Sequence, residues 1–272
     1  MEPTQNELEL VEQLRRNLSD LSLSKHESET KNLLRFIRAR NHSVQNAEVM
    51  FRRQVVWREE NDLDNPQPYS FPKEFKTYWP WYITGFDDSD GPVIVVPLGE
   101  WNPGKVTGNF NEFVRYCFNG IETVWKLMQR TSQGQNKYNQ FCVVLDIKGL
   151  SYKHVSNLDA MQGILEVVKA FEANYPETLK IGLIINAPYI FEVAWKLFKP
   201  FISEATHAKL KFLGSDSKLW KDELLAYMSE DQFPEKYGGR MPDCTEIQIE
   251  KGCTKRRGSN SNEFICENLM RT

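Results

Sequence analysis

Five consecutive uncharged residues, 181–185, sit inside the stretch NYPETLKIGLIINAP and follow a Tyr-Pro-Glu break at Tyr175, Pro176 and Glu177. A strand that is apolar without alternation is covered on both faces, which is the signature of a parallel sheet. Upstream, QFCVVLDIKG reads as another strand. Residues 155–174 read as a helix, with Leu158, Met161, Leu165, Val168 and Phe171 at helical intervals. Strand, helix and uncharged strand make a βαβ unit, so this part of the chain is α/β. Glu177 at the mouth of the uncharged strand has three readings at this point: a general acid, a structural ion-pair partner, or part of a site for a polar headgroup.

The chain before residue 75 reads as helices. Leu8, Val11, Leu14 and Leu18 recur at three- and four-residue steps over residues 7–18. SKHESETKNLLRFIRAR places Ser24 as an N-cap ahead of Leu33, Leu34, Phe36 and Ile37. SVQNAEVMFRRQVVWREEN carries Val44, Ala47, Met50, Phe51, Val55 and Trp57 near one face. NDLDNPQPYSFP, with three prolines, reads as a linker, which gives a helical lobe over residues 1–75, a second lobe over 76–243 and a polar tail over 244–272. WYITGF and PVIVVPL are short strands about DDSDG, a hairpin turn whose carboxylate spacing does not fit a calcium loop. A long helix over residues 111–129, a short strand in HAKLKFLG and a helix in KLWKDELLAYM complete the reading.

Composition narrows the function. The 272 residues carry a net charge of −3, with 40% hydrophobic and 26% charged residues, so no nucleic-acid partner is expected. The five cysteines are odd in number and form no C-x-x-C pair. The acidic N-terminus lacks an apolar leader, and no window reaches the ~20 apolar residues of a spanning helix. These features predict a cytoplasmic protein. No phosphate-binding glycine loop, nucleophile elbow or zinc motif occurs, and the four histidines are scattered, so catalytic residues, metal and cofactor are all read as none.

YIFEVAWKLFKPFI, beginning at Tyr189, says more. Glu192, Lys196 and Lys199 form one narrow polar stripe, while Phe191, Val193, Ala194, Trp195, Leu197 and Phe198 occupy the rest. A helix docked on one core needs an apolar arc of only about 100°, so this one is expected to bury two surfaces. It is either sandwiched within the protein or serves as a lid between a lipid and a membrane. Pro200 ends it.

LLRFIRAR, WRE, VVLDIKGL, NYPETLKIGLIINAP, LFKPF and FPEKYGG, in that order over residues 27–242, resemble the CRAL-TRIO lipid-transfer family. Within it they are most similar to the animal branch that contains supernatant protein factor, where relatives often continue into a Golgi-dynamics domain; none is expected here. The resemblance implies a helical lobe on a mixed, largely parallel sheet that floors an apolar lipid pocket closed by a gate helix, here residues 189–201. It implies a monomer that carries a phospholipid or other hydrophobic ligand, touches membranes peripherally and performs no covalent chemistry. The family's phosphatidylinositol signature falls on Arg40, Glu177, Thr206 and Lys209. Phe141, Val143, Phe191, Val193, Trp195, Leu197, Phe198 and Phe201 fall on the pocket and gate. Fungal members that carry phosphatidylcholine have hydroxyl residues where this chain has Phe141 and Val143, which speaks against that lipid and leaves room for a tocopherol-, retinoid- or squalene-like passenger. The alternative role is a lipid-sensing module that controls a signalling or trafficking partner, with the basic stretch KGCTKRRGS touching acidic lipid or being phosphorylated at Ser259.

Overall fold

The computed structural model describes residues 2–65, 69–131 and 139–241; the basic stretch and Ser259 lie outside them. Three helices, α1 (Gln5–Asn17), α2 (Thr30–Ala39) and α3 (Val44–Glu60), form the N-terminal lobe. Val11, Leu14, Leu33, Ile37, Ala47 and Phe51 are fully buried between them, and Phe36 meets Phe51 edge to face at 4.8 Å. Thr4 caps α1 in a reciprocal box: its Oγ1 accepts from the Glu7 amide at 3.2 Å and its amide donates to Glu7 Oε2 at 2.9 Å. Glu7 also accepts from Arg38 Nε of α2 at 2.7 Å. Ser24 does not cap α2. It accepts from the Glu27 amide in a separate turn, and α2 begins after Glu29. Ser43 does cap α3.

The second lobe follows the order α4 (Glu74–Tyr78), β1 (Tyr82–Phe86), β2 (Pro92–Val96), α5 (Phe110–Thr131), β3 (Phe141–Asp146), α6 (Tyr152–Val155), α7 (Leu158–Asn174), β4 (Leu179–Ile185), α8 (Phe191–Phe198), α9 (Glu204–His207), β5 (Leu210–Phe212) and α10 (Ser217–Leu225). The sheet runs β1-β2-β3-β4-β5, with β1 antiparallel to β2 and every later pair parallel. This is the mixed, largely parallel sheet the sequence predicts. Asp87 Oδ1 accepts the amides of Ser89 and Gly91 at 2.8 Å each and so closes the β1–β2 hairpin turn. The helix expected over residues 155–174 is α7, which starts three residues later, at Leu158, after the separate single turn of α6. Asn157 caps a new start by accepting from the Ala160 amide at 2.8 Å, and buried His154 in the single turn of α6 is bonded to the Trp101 carbonyl.

The two faces of the sheet differ. On one, Val93, Val95, Cys142, Val144, Ile181, Leu183 and Ile185 are sealed beneath Trp220 and Leu224 of α10, with Met228 and Phe233. On the other, Phe141, Val143, Ile83 and Val96 remain half-buried beside Val124, Trp125 and Met128 of α5. Phe171 of α7 meets Phe141 on that face at 6.0 Å between ring centres.

Candidate functional site

Adjacent parallel strands share an end, and this brings two of the expected headgroup residues together. Glu177 lies two residues before β4 and Lys209 one residue before β5. The amide of Gly182 donates to the Lys209 carbonyl at 2.9 Å, and Leu210 pairs with Gly182 in the ladder. Gly182 permits that approach, since a Cβ there would sit 2.6 Å from Leu210 Cδ2. Lys209 Nζ then donates to Glu177 Oε2 at 2.9 Å, with the two side chains 24% and 23% exposed. The pair is wet enough to exchange partners and covered enough that each charge needs one.

Thr206 occupies the turn just before this pair. Its carbonyl accepts from the Lys209 amide at 2.9 Å, and its hydroxyl accepts from Ser203 Oγ at 3.1 Å. The structure does not join Arg40 to these residues. Arg40 is the C-cap of α2, and its Nη1 donates to the neighbouring Ala39 carbonyl at 2.9 Å.

The loop carrying Glu177 is held from several sides. Glu177 has φ +54°, a left-handed conformation that turns ordinarily assign to glycine or asparagine and that costs other residues about 1–2 kcal/mol. Thr178 Oγ1 closes the turn on the Tyr175 carbonyl at 2.8 Å. Arg35 of α2 donates to the Glu177 carbonyl at 2.6 Å, and Gln140 donates to it at 3.1 Å. Gln54 of α3 donates to the carbonyl of Asn174. Arg58 of α3 forks onto both oxygens of buried Glu122, which also accepts from the Tyr175 hydroxyl at 2.5 Å. Burial, reinforced by the Glu122 carboxylate, raises the Tyr175 phenol well above its usual range. Sequence reading selects Arg40 and passes over Arg35, because the partners of Arg35 are main-chain carbonyls 104 and 142 residues away.

The gate segment resolves into α8 and a following tight turn over Lys199–Phe201 that contains Pro200. The protein itself does not bury two surfaces of α8, since only Ala194 of it is fully buried, so the helix is not sandwiched within the fold. Phe191, Trp195 and Phe198 are half-buried, with Trp195 edge to face on Phe212 of β5 at 4.7 Å and tilted against His207 of α9 at 5.7 Å. Val193, Leu197 and Phe201 point outward, at 54%, 41% and 41% exposure. Lys169 of α7 places Nζ 4.3 Å from the ring centre of Phe201. No helix among the described residues is long and apolar enough to cross a membrane.

A sequence model of the CRAL/TRIO domain matches residues 76–239. The chain belongs to the CRAL/TRIO family. It is 30% identical over 220 residues to the CRAL-TRIO domain-containing protein T23G5.2 of Caenorhabditis elegans, covering 76% of this chain and 29% of that protein. It is 29% identical over 264 residues to Protein real-time of Anopheles gambiae, covering 93% of this chain and 38% of that one. The CRAL/TRIO chain thus spans about a third of the length of these curated relatives, and they agree with the animal branch. Among solved structures it is similar in fold to Sfh5, with a TM-score of 0.68 at 18% identity over 90% of this chain and 91% of that one. CRAL/TRIO domains are lipid-binding and lipid-transfer modules, and the mixed, mostly parallel sheet with its helices matches that fold.

Proposed function

We propose that the protein binds one lipid molecule over the half-buried face of its sheet, beneath α8, and exchanges it at membrane surfaces without covalent chemistry. Phosphatidylinositol is the favoured ligand. The observation that carries this reading is the Lys209–Glu177 pair at 2.9 Å. An arriving inositol phosphate takes Glu177's place on the lysine. The freed carboxylate then accepts from ring hydroxyls, with the Thr206 hydroxyl alongside. Arg40 supplies a second cation from the end of α2, about 7.5 Å along the helix from Arg35, which already touches the Glu177 loop. The outward arc of α8 supplies the membrane contact, with Val193 and Leu197 beside exposed Lys196 and Lys199.

The test is transfer of labelled phosphatidylinositol between vesicles. A charge-assisted hydrogen bond is worth about 1.5–3 kcal/mol, so Lys209→Ala should weaken phosphatidylinositol binding by about ten- to a hundredfold. Wild-type transfer by a folded Lys209→Ala protein would remove the headgroup assignment. A second reading is favoured by the floor itself: Phe141 and Val143 offer no donor, which suits a wholly apolar passenger and disfavours a choline headgroup there. Equal transfer of phosphatidylcholine and phosphatidylinositol would contradict both.

A further inference from the structure

We infer that Arg35 is the positioning residue of the headgroup site: from the N-terminal lobe it fixes the Tyr-Pro-Glu turn in the conformation that delivers the Glu177 carboxylate to Lys209. The inference rests on the headgroup reading above and adds a residue to the four of the phosphatidylinositol signature.

Arg35 lies in α2 at 4% exposure, inside the most deeply buried run of that helix. A buried guanidinium must place its donors, and both terminal nitrogens of this one reach main-chain oxygens. Nη1 donates to the Glu177 carbonyl at 2.6 Å and Nη2 donates to the carbonyl of Asn139. The guanidinium carbon lies 5.4 Å from the centre of the Trp125 ring. Asn139 leads into β3 and Glu177 leads into β4, so one planar group spans the mouths of two neighbouring strands. The fork geometry of arginine suits two carbonyls on one plane, whereas lysine offers a single compact charge.

The carbonyl that Arg35 holds belongs to the residue whose side chain faces Lys209. Glu177 is held at φ +54°, a conformation its own sequence disfavours. Without the Arg35 and Gln140 donors, relaxation toward negative φ swings the Cβ and takes the carboxylate off Lys209. Gln54 and Arg58 also fasten the N-terminal lobe near this turn, yet they hold the Asn174 carbonyl and, through Glu122, the Tyr175 hydroxyl. They dock the lobes and leave the Glu177 peptide untouched. Headgroup geometry and lobe docking therefore meet at one residue, and that residue is Arg35.

The experiment measures loading of the full chain from vesicles that contain phosphatidylinositol and, separately, a diacylglycerol of the same acyl chains, with each value expressed per folded molecule. Arg35→Lys and Arg35→Met should lower phosphatidylinositol loading about tenfold, the lower end of what the outer partners of a ligating group are worth. Diacylglycerol loading should stay near wild type, and Gln54→Leu should leave the ratio of the two lipids unchanged. A parallel fall of both lipids in the Arg35 variants, or no fall in either, overturns the inference, since a merely structural role would not move the ratio. If neither Arg35 variant folds, Gln140→Leu removes the second donor at the same carbonyl from within the lipid lobe. A lowered ratio there supports the inference and an unchanged one overturns it. Lys209→Ala serves as the reference. If it leaves phosphatidylinositol loading intact, the headgroup reading itself has failed, and the Arg35 inference goes with it. If it abolishes loading while the Arg35 variants do not, the Arg35 inference fails alone.

Discussion

Helices α2 and α8 are of similar length, ten and eight residues, and each carries large apolar side chains, but the fold uses them in opposite ways. In α2 every residue from Asn32 to Ile37 is buried, polar ones included, because the helix is wedged between α1 and α3 on one side and the lipid lobe on the other. In α8 only Ala194 is buried, and the inner arc rests on rings that are themselves partly open to solvent, such as Phe212. Fully burying a large apolar side chain contributes about 1.5–3 kcal/mol. By that measure α2 has committed its apolar surface to the folded protein, whereas α8 retains Val193 and Leu197 for something else. Segments that move in function are drawn from the regions that contribute least to stability, and α8 meets that description while α2 does not.

The sharpest way to break this contrast is to truncate a side chain in α2. Phe36 is 1% exposed and stacked edge-on against Phe51, so Phe36→Ala removes a ring from a sealed space. Such substitutions cost about 3–5 kcal/mol, and urea unfolding of the variant should show a loss of that size. A loss within about 0.5 kcal/mol, the range of exposed sites, would mean that α2 is not the fixed element described here.

A smaller effect, still within the N-terminal lobe, comes from Glu7. Its carboxyl is held far below the ordinary value of 4.5, first by the hydrogen bonds from Arg38 and then by those from the Thr4 amide and His42. A group depressed in the folded state contributes stability that is fully present above the unfolded value. That contribution is lost as pH falls below about 4.5 toward the folded value. Charge-assisted bonds of this kind contribute about 1.5–3 kcal/mol, so Glu7→Gln should lower stability at neutral pH by about that much. The variant should also flatten the acid limb of a stability-against-pH curve measured between neutral pH and acid. Identical acid limbs in the variant and the parent would show that Glu7 carries no such linkage.

The contrast between the two helices was only half legible in the sequence. The uncharged run of β4 and the βαβ order required a parallel sheet, and that sheet in turn places Glu177 beside Lys209. Apolar period alone starts α1 at Glu7, whereas the Thr4–Glu7 box, readable as Thr-x-x-Glu, starts it at Gln5. Which arc of α8 faces inward was not legible, because Phe191 and Trp195 on one arc are no more apolar than Val193 and Leu197 on the other. The choice depends on Phe212 and His207, which reach the helix only after the chain has turned back through α9. Arg35 was invisible for a related reason. An arginine within an amphipathic helix reads as a solvated or snorkelling cation unless the distant carbonyls it binds are known.

The smallest expected change in stability belongs to the outer arc of α8, and there it is paired with a change in function. Val193 and Leu197 are four residues apart, share one arc and are 54% and 41% exposed, so Val193→Ser with Leu197→Ser removes little that the folded protein has buried. Stability should stay within about 0.5 kcal/mol of the parent, as for other exposed sites. If the arc enters the interfacial region of a bilayer, each side chain contributes part of the ~1.5–3 kcal/mol of full burial, and vesicle co-sedimentation of the double variant should fall severalfold or more. Lys196 and Lys199 lie along one side of the arc, so substituting both with Gln should weaken binding to anionic vesicles and leave neutral ones unaffected, with the difference shrinking as salt is raised. Trp195→Ala on the inner arc is the counterpart: it removes the contact with Phe212 and should alter lipid retention before it alters vesicle binding. Should the outer-arc variant unfold as readily as Phe36→Ala, or bind vesicles as well as the parent, α8 would be a core helix like α2, and the distinction between the two helices would collapse.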